Sequence, residues 1–432
     1  MANRVVITGL GVVAPNGVGI ESFGSAIRSG QSGIRFDEQL EQLGFSCQIS
    51  GKPQLDEALI AQHFNALELR NFNSNGIMYG VIAGMDAWKD AGLPLPEGDD
   101  PAWDYGLVFG SGTSGIDRFR EAIYAIDAGN VRRLGSTVVL QTMNSGVSAY
   151  LSGKLGLGNR LITNSSACST GTESLLLAYE RIMSGQASVV LSGATSDSGP
   201  YIWGGFDAMK VCTFKHNLDP ERGSRPMSSS ASGFAPGSGA GALVVESLDH
   251  ALARGARIYA EVLGGHVNSG GQRGKGTMTA PNPVAVQRCI RTALQHAGVS
   301  ANQVDLINAH LTATAMDVLE IKNWVEALGR SGQDFPMINT LKGMTGHCLT
   351  AAGSIECVAS VLQLYGDFIF PNINCEDLHT DIADLIDPDK IPQKLIHKQS
   401  DILIKASFGF GDINACILLK KYTEHDAERR VN

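Results

Sequence analysis

Short apolar segments rich in β-branched residues alternate with longer segments of helical periodicity along the first half of the chain. The strands that this pattern predicts are residues 4–8, 105–110, 161–166, 187–193 and 242–246. Apolar residues at helical spacing predict helices at residues 76–91, 116–128 and 171–184. Strands that alternate with helices indicate an α/β fold with parallel strand pairs.

The same order of elements begins again near residue 256. Here the pattern predicts strands at residues 257–264, 304–309, 335–340, 402–408 and 415–419, and helices at 284–297 and 350–365. No sequence identity is visible between the two parts, but the repeated order suggests a duplicated βα unit. We therefore predict two halves, residues 1–255 and 256–432.

Composition and charge disfavour several classes of protein. Hydrophobic residues make up 43% and charged residues 18% of the 432 positions, as expected for a well-packed globular protein. The net charge is −9 and no long basic run occurs, which disfavours nucleic acid as a partner. Neither a signal-peptide pattern nor an apolar stretch of about 18 residues is present, so we predict a cytoplasmic protein that does not span a membrane. The eight cysteines form no CxxC pair, so neither a metal site nor a disulfide framework is predicted.

Two glycine-containing segments have more than one interpretation. The GxGxxA pattern of residues 9–14 is typical of dinucleotide sites, but Pro15 interrupts the helix that should follow, so a simple turn is favoured. Residues 223–241 are rich in Ser and Gly and could form a flexible linker. They lead directly into the strand at 242–246, which favours a loop at the active site or at the edge of the core.

A cysteine lies where the strand at residues 161–166 gives way to the helix at 171–184. Its neighbours are small in Ser166-Ala167-Cys168-Ser169-Thr170-Gly171, which permits a sharp strand-to-helix turn that displays a nucleophile. The positive end of the helix dipole would lower the pKa of the Cys168 thiol from its usual value of about 8.5. A buried structural cysteine at a helix start explains the same pattern equally well.

A histidine directly follows the strand predicted at residues 304–309. The ends of strands are where α/β folds place reactive groups, although a lone histidine such as His310 is more often structural. Thr312 and Thr314 alternate behind it, so both hydroxyls can face one side and line a polar channel.

A second histidine, His347, lies at another strand-to-helix junction, the counterpart of the Cys168 junction in the first half. Lys342, in the glycine-containing loop before it, would be unusual in an apolar setting without a partner, and Glu356 on the following helix is a plausible partner. On its own, a lysine such as Lys342 is more often a surface charge.

Near the end of the chain, aromatic residues and glycines alternate in Phe408-Gly409-Phe410-Gly411. Such a segment suits a narrow, mobile loop that gates a site. A β-hairpin turn packed on the core fits the same residues equally well.

Together and in this order, these segments resemble those of the β-ketoacyl-acyl-carrier-protein synthases of the Cys-His-His branch. The segment around Cys168 is similar to the nucleophile motif of that family, residues 310–314 to its HGTxT motif and residues 342–347 to its KxxxGH motif. The similarity extends from residue 4 to residue 411. It implies a thiolase-like fold, in which duplicated βα halves form an α-β-α-β-α layered architecture.

The resemblance also implies an activity, the decarboxylative condensation of a malonyl thioester with an acyl group. Cys168 would accept the acyl group, and neutral His310 and His347 would stabilise the enolate that forms when the malonyl unit loses CO₂. No cofactor is implied, since phosphopantetheine arrives as the arm of the carrier protein. The other implied site residues are Lys342 and Glu356 for orientation, Thr312 and Thr314 for pantetheine, Phe408 in support, and Cys168, Gly409, Phe410 and Gly411 at the oxyanion hole and gate.

The partners that the resemblance implies are an acyl carrier protein, malonyl and acyl thioesters, and a second copy of the chain in a homodimer. A heterodimer with a homologous chain is the alternative assembly. Two other functions stay open: a non-catalytic partner subunit of the chain-length-factor type, and a Cys-dependent acyl transferase or hydrolase on the same fold. Such partner subunits usually lack the nucleophile, so the presence of Cys168 favours the enzyme.

Several positions depart from the pattern of the family. Leu311 stands where glycine is usual, which would narrow or reshape the pantetheine entrance. Asp412 replaces a glycine after the gate, which puts the usual opening of the loop in doubt. In the Ser-rich segment 227–232, Ser and Ala stand where charged residues are usual. These departures suggest a divergent, secondary-metabolic member.

Overall fold

The computed structural model describes residues 3–96 and 98–423. The strands in this part of the chain are β1 Val5–Ala14, β2 Gly17–Val18, β3 Ile34–Phe36, β4 Ile49–Gly51, β5 Tyr105–Ser111, β6 Leu161–Ile162, β7 Val189–Ser196, β8 Gly239–Ser247, β9 Ala260–Ser269, β10 Leu306–Asn308, β11 Met337–Asn339, β12 Phe368–Ile369, β13 Ile396–His397, β14 Ile402–Gly409 and β15 Ile413–Lys421. The α-helices are α1 Ile20–Ser29, α2 Glu38–Gln42, α3 Glu57–His63, α4 Asn75–Asp90, α5 Ile116–Asp127, α6 Val138–Thr142, α7 Gly146–Leu155, α8 Thr170–Met183, α9 Pro200–Ala208, α10 Leu248–Ala253, α11 Pro283–Ala297, α12 Met316–Leu328, α13 Lys342–Thr345, α14 Ala352–Gly366 and α15 Thr380–Leu385. None of these helices combines the length and the apolar character that crossing a membrane requires.

The main sheet is mixed and has the strand order β11-β10-β14-β15-β9-β1-β8-β7-β5-β6, with β2 beside β1. From the outer edge inwards, the order is β6-β5-β7-β8-β1 in the first half and β11-β10-β14-β15-β9 in the second. Numbered along the chain within each half and without β2, both orders are third, second, fourth, fifth, first. The second strand is parallel to the third and fourth in both halves, and the remaining pairs are antiparallel. The halves meet where β1 pairs with β9, with Val5 opposite Val262. The repeated order is that of a duplicated βα unit, and the predicted boundary falls between α10 and β9.

Helices α8 and α14 lie between the two halves. Each contacts strands of both halves, among them β7 and β15 for α8 and β8 and β14 for α14. The two helices approach each other closely through glycines, since a Cβ on Gly171 would lie 2.2 Å from the Ser354 nitrogen and one on Gly353 would lie 2.6 Å from the Thr172 nitrogen. Helix α4 packs on β1 and α11 on β9. These contacts complete the α-β-α-β-α layers that the resemblance implied.

The glycines of the GxGxxA pattern belong to β1, which is buried along its whole length to Ala14. A Cβ on Gly9 would lie 2.2 Å from the Ala87 carbonyl oxygen, and one on Gly11 would lie 1.9 Å from that of Ala83. The glycines therefore let α4 lie directly on the strand. The interpretation of this segment as a turn is wrong, because the strand continues through it.

Candidate active site

Cys168 lies in a single 3₁₀ turn, Ala167–Ser169, between β6 and α8. The turn is tight, with Ala167 in the left-handed region at a φ of 49°. The Thr170 hydroxyl accepts a hydrogen bond from the Ser166 N–H at 2.9 Å and donates one to the Ala167 carbonyl at 2.7 Å. This local network places the Cys168 thiol, 8% exposed, at the N-terminal end of α8.

The second half builds the same turn before α14. Leu349–Ala351 is again a 3₁₀ turn, and Leu349 also has a φ of 49°. The position equivalent to Cys168 is therefore Thr350, whose hydroxyl donates to the Thr195 carbonyl at 2.6 Å. His347 lies just before this turn, so the duplication supplies a nucleophile from one half and an imidazole from the other.

The His347 ring faces the thiol, with its Nε2 3.1 Å from the Cys168 Sγ. The Leu349 backbone N–H donates to its Nδ1 at 3.2 Å, so the neutral ring carries its proton on Nε2. His347 therefore donates a hydrogen bond toward the sulfur.

His310 completes the group. Its ring centroid is 5.4 Å from that of His347, with the ring planes at 83°. The Cys168 sulfur and one ring nitrogen of each histidine lie within 4.8 Å of one another. A cysteine and two histidines at this spacing resemble a metal site, but the protonated Nε2 of His347 offers no lone pair to an ion. The arrangement instead suits hydrogen-bond donation to a negative charge.

Two buried carboxylates of α12 hold the loop that carries His310. Glu320 accepts from the backbone N–H groups of His310 at 2.8 Å and Leu311 at 2.7 Å. Asp317 accepts from the Thr312 N–H at 2.9 Å. Burial raises the pKa of Glu320 to about 7 and that of Asp317 to about 6, against the effect of these hydrogen bonds. Neither residue was predicted, and the helix that carries them, Met316–Leu328, was not predicted either.

Burial has the largest effect on the ionisation of the three central side chains. It lowers the pKa of His310 and of His347 well below 6.5, and the positive charge of Lys342 acts in the same direction. Burial also raises the pKa of the Cys168 thiol to about 11, opposed by Lys342 and by the backbone N–H of Phe410. Desolvation therefore opposes the lowering of this pKa that is expected from the helix end. Both histidines are neutral donors at neutral pH.

A buried carboxylate lies between two buried lysines beside the site. The Lys342 Nζ is 2.5 Å from the Glu356 Oε1 and donates to the His310 carbonyl at 2.6 Å. The Lys405 Nζ, from β14, is 2.8 Å from the Glu356 Oε2. Each of the three side chains is at most 2% exposed. Sequence reasoning missed Lys405, whose position in an otherwise apolar strand was the available signal.

The segment after β14 reaches the thiol. The backbone N–H groups of Phe410 and Cys168 lie close enough to the Cys168 sulfur to lower the pKa of its thiol. Gly409 lies so near that a Cβ on it would be 3.1 Å from the Cys168 nitrogen, and Gly411 has a φ of 85°. The Phe410 ring packs against Phe206 of α9, with ring centroids 6.0 Å apart. Two N–H groups near one point can stabilise negative charge there.

A cavity of about 280 Å³ opens onto the three central side chains. Thr312 and Thr314 line it, with their hydroxyls 3.1 Å apart. Leu311 does not, because its side chain is fully buried in the hydrophobic core of the second half, at a backbone φ of 26°. The side chain of Leu311 therefore does not narrow the cavity directly. The other lining residues among the expected site residues are Cys168, His310, His347, Phe408, Gly409 and Phe410.

The Ser-rich segment 227–232 is packed against the body of the protein. The Ser228 hydroxyl donates to the Asp377 carboxylate at 2.5 Å. The next residue of the loop, Gly233, donates its N–H to the Ala313 carbonyl at 3.0 Å, within the loop that carries His310. The preference for a structured loop over a flexible linker is confirmed.

Asp412 ties the gate to residues 270–282, a segment that supplies part of the cavity wall. Its carboxylate accepts from the backbone N–H groups of Gln272 at 3.0 Å and Asn282 at 2.8 Å, and its own carbonyl accepts from the Gly270 N–H at 2.8 Å. The residue is 1% exposed and adopts a φ of 63°. The lost glycine is thus replaced by a residue that keeps the left-handed backbone and adds a tether.

We expect Asp412→Ala to loosen this tether and to lower the free energy of unfolding by about 1–3 kcal/mol, because two partly buried N–H groups lose their charged acceptor. Hydrogen exchange of residues 270–282 should become faster. Asp412→Asn is the matched control, since it keeps one of the two acceptor oxygens and should lose less. Unchanged exchange in Asp412→Ala would show that the segment is held by other contacts.

A layered fold with a cysteine at a helix end and two neutral histidines directed at it defines the condensing enzymes, acyltransferases that form carbon–carbon bonds. Residues 2–251 match the family described as "Beta-ketoacyl synthase, N-terminal domain", and residues 259–376 match "Beta-ketoacyl synthase, C-terminal domain". The chain belongs to the β-ketoacyl synthase family. It carries the Cys-His-His triad of that family in Cys168, His310 and His347.

The curated relatives support one activity. The chain is 34% identical over 430 residues to 3-oxoacyl-[acyl-carrier-protein] synthase 2 of Vibrio harveyi, covering 98% of this chain and 99% of that protein. It is also 34% identical over 423 residues to 3-oxoacyl-[acyl-carrier-protein] synthase 1 of Escherichia coli strain K12, covering 97% and 99%. The chain therefore has 3-oxoacyl-acyl-carrier-protein synthase activity, a condensation used in fatty-acid or polyketide synthesis, with an acyl carrier protein as partner.

The fold of the chain is also similar to solved structures of ketosynthases. A type II polyketide synthase ketosynthase in complex with its acyl-carrier protein has a TM-score of 0.86 and 29% identity, covering 98% of this chain and 100% of that one. A β-ketoacyl synthase from Burkholderia phymatum STM815 has a TM-score of 0.87 and 26% identity, with the same coverage.

Proposed function

We propose that the chain condenses malonyl-carrier protein, with loss of CO₂, with an acyl group held on Cys168. The observation that supports this most is the convergence of a thiol and two imidazole nitrogens within 4.8 Å of one another at the wall of a cavity. A thiol accounts for acyl transfer, and two neutral N–H donors account for stabilising an enolate.

The proposed cycle has two stages. The Cys168 thiolate attacks the carbonyl of the acyl thioester, a new C–S bond forms as the bond to the carrier sulfur breaks, and the carrier leaves as a thiolate that takes a proton from water. The carboxylate of the malonyl unit then leaves as CO₂, and His310 and His347 hold the resulting enolate oxygen by N–H donation. The enolate carbon attacks the Cys168 thioester, whose oxyanion lies against the N–H groups of Cys168 and Phe410. Collapse of this intermediate releases the Cys168 thiolate and the β-ketoacyl-carrier product.

The remaining residues orient these groups. Thr312 and Thr314 hydrogen-bond the pantetheine arm along the cavity. Lys342 holds the His310 carbonyl and is itself held by Glu356. Phe408 supports the His310 ring from a centroid distance of 6.1 Å. Gly409 and Gly411 give the gate the close approach and the positive φ that it needs.

Mass spectrometry of the intact protein with acyl-carrier and malonyl-carrier thioesters tests this function. We expect an acyl adduct on Cys168 and an elongated β-keto product. An adduct without elongation would support acyl transfer alone. A folded protein that forms no adduct with acyl groups of several lengths would support a partner-subunit role. The departures from the family pattern at Asp412 and residues 227–232 support a secondary-metabolic product, which the same spectra would identify.

We also propose that a second copy of the chain covers an apolar surface beside the sheet edge. Strand β6 ends the strand order, and its Leu161 is 42% exposed. Exposed edge strands with apolar neighbours are templates for pairing with another chain. The exposed apolar residues of α5 and α6 are Phe119, Ile123, Ile126, Val139 and Leu140. Sedimentation should give the mass of two chains, and a monomer would instead support assembly with a homologous partner.

A further inference from the structure

Lys405 lies outside the motifs of the site and yet contacts its charged centre. We propose that Lys405 is a positioning residue of the condensation site, the second cation on Glu356, which leaves the charge of Lys342 free to act on Cys168 and His310. The proposal rests on the function proposed above and deepens it.

Glu356 forms ion pairs with both lysines. One carboxylate oxygen lies 2.5 Å from the Lys342 Nζ, and the other lies 2.8 Å from the Lys405 Nζ. Lys405 is fully buried, and it also lies 3.1 Å from the Ser407 hydroxyl and donates to the Ala406 carbonyl. A buried ammonium is retained only where such acceptors compensate its desolvation. Glu356 is therefore paired with two cations, Lys342 and Lys405, and not with Lys342 alone.

The three buried side chains carry unequal numbers of positive and negative charges. Two lysines and one glutamate leave one net positive charge in a region shielded from water. The neighbouring histidines and thiols do not cancel it: burial lowers the pKa of His310 and His347, so both are neutral, and raises that of the Cys357 thiol to about 12. The Cys416 thiol also has its pKa raised well above 9.0 by burial. Glu320, the other nearby carboxylate, accepts from backbone N–H groups of the His310 loop, and burial raises its pKa to about 7, so at neutral pH it offsets only part of this charge.

The consequence is electrostatic. Condensation places negative charge first on the Cys168 sulfur and then on the enolate, and each is stabilised by a net positive charge nearby. Without Lys405, Glu356 and Lys342 form a neutral pair, and this stabilisation is lost. A purely structural lysine would instead act through Ser407, whose hydroxyl lies 2.9 Å from that of Thr172 on α8.

The pH dependence of Cys168 alkylation separates the two roles. The full-length protein is treated with iodoacetamide over a range of pH, and the Cys168 peptide is quantified by mass spectrometry. We expect Lys405→Met to shift the apparent thiol pKa upward by about one unit or more, and Glu356→Gln to shift it downward. The double variant Lys405→Met/Glu356→Gln restores the wild-type charge and should return within about half a unit of the wild-type value.

A lysine far from the site provides the control for removing a positive charge. Lys154→Met, which removes a lysine from the ion pair with Glu68 on another face, should leave the thiol pKa unchanged. If Lys405→Met alone does not fold, the comparison of Glu356→Gln with the double variant measures the same charge without a buried unpaired carboxylate. An unshifted pKa in Lys405→Met, or a double variant that keeps its full upward shift, overturns the proposal. Alkylation needs no condensation, so failure of the proposed function would appear separately as missing β-keto product.

Discussion

Replacing Cys168 with alanine should abolish the acyl adduct and reduce condensation at least about a thousand-fold, because Cys168 supplies the only thiol among the described residues that line the cavity. Decarboxylation of malonyl-carrier should persist in this variant, since His310 and His347 remain in place. Product formation is followed by mass spectrometry of the carrier protein, and decarboxylation by release of CO₂.

The neighbouring cysteine provides the control. Cys348→Ala removes a buried thiol that donates to the Thr345 carbonyl at 3.8 Å and lies outside the cavity wall. We expect this variant to form the adduct and to condense at close to the wild-type rate. Elongation by Cys168→Ala at the wild-type rate would refute the assignment of the nucleophile.

Replacing either histidine with alanine should slow decarboxylation about a hundred- to a thousand-fold, equivalent to about 3–4 kcal/mol, because each removes one donor to the enolate oxygen. His347→Ala should also slow acyl transfer, since its Nε2–H faces the Cys168 sulfur at 3.1 Å. His310→Ala should affect acyl transfer less. Single-turnover measurements of the two half-reactions separate these effects.

The pH dependence of decarboxylation tests whether the two histidines act as neutral donors. Because the pKa of both histidines lies well below 6.5, they gain protons only at lower pH. Decarboxylation should therefore stay constant as the pH falls through 6.5 and should decline only below it. His296→Ala, at an exposed position on α11, is the control that should change neither half-reaction. A rate that falls with an apparent pKa near 6.5 would contradict the neutral-donor role.

Much of the fold was predictable because its signals are local. Buried strands such as β14 and amphipathic helices such as α11 show their periodicity within a few turns of chain. The strand predicted at residues 161–166 was too long, because only Leu161–Ile162 pairs with β5. Beyond these residues, side-chain hydrogen bonds hold the chain in place; for example, the Asn164 side chain accepts from the Ser174 hydroxyl at 2.8 Å.

The site was predictable only as separate positions. Cys168 and His347 are 179 residues apart, and neither residue type is diagnostic on its own. The tautomer of His347 depends on the Leu349 N–H, and the second partner of Glu356 depends on where β14 passes α14. Such contacts leave no periodic trace in the sequence, so Lys405 and Glu320 were missed.

The sequence by itself determined the main strands of both halves, five of the helices, the repeated order of the strands, and the positions of the nucleophile, the two histidines and Lys342. Only the tertiary structure decided that these residues meet, that the thiol is desolvated and that Glu356 is shared by two lysines. The physical reason is one of range. Periodicity and turn chemistry act over a few residues, whereas hydrogen bonds and charge interactions in a buried site depend on the packing of α8 against α14 between the two halves.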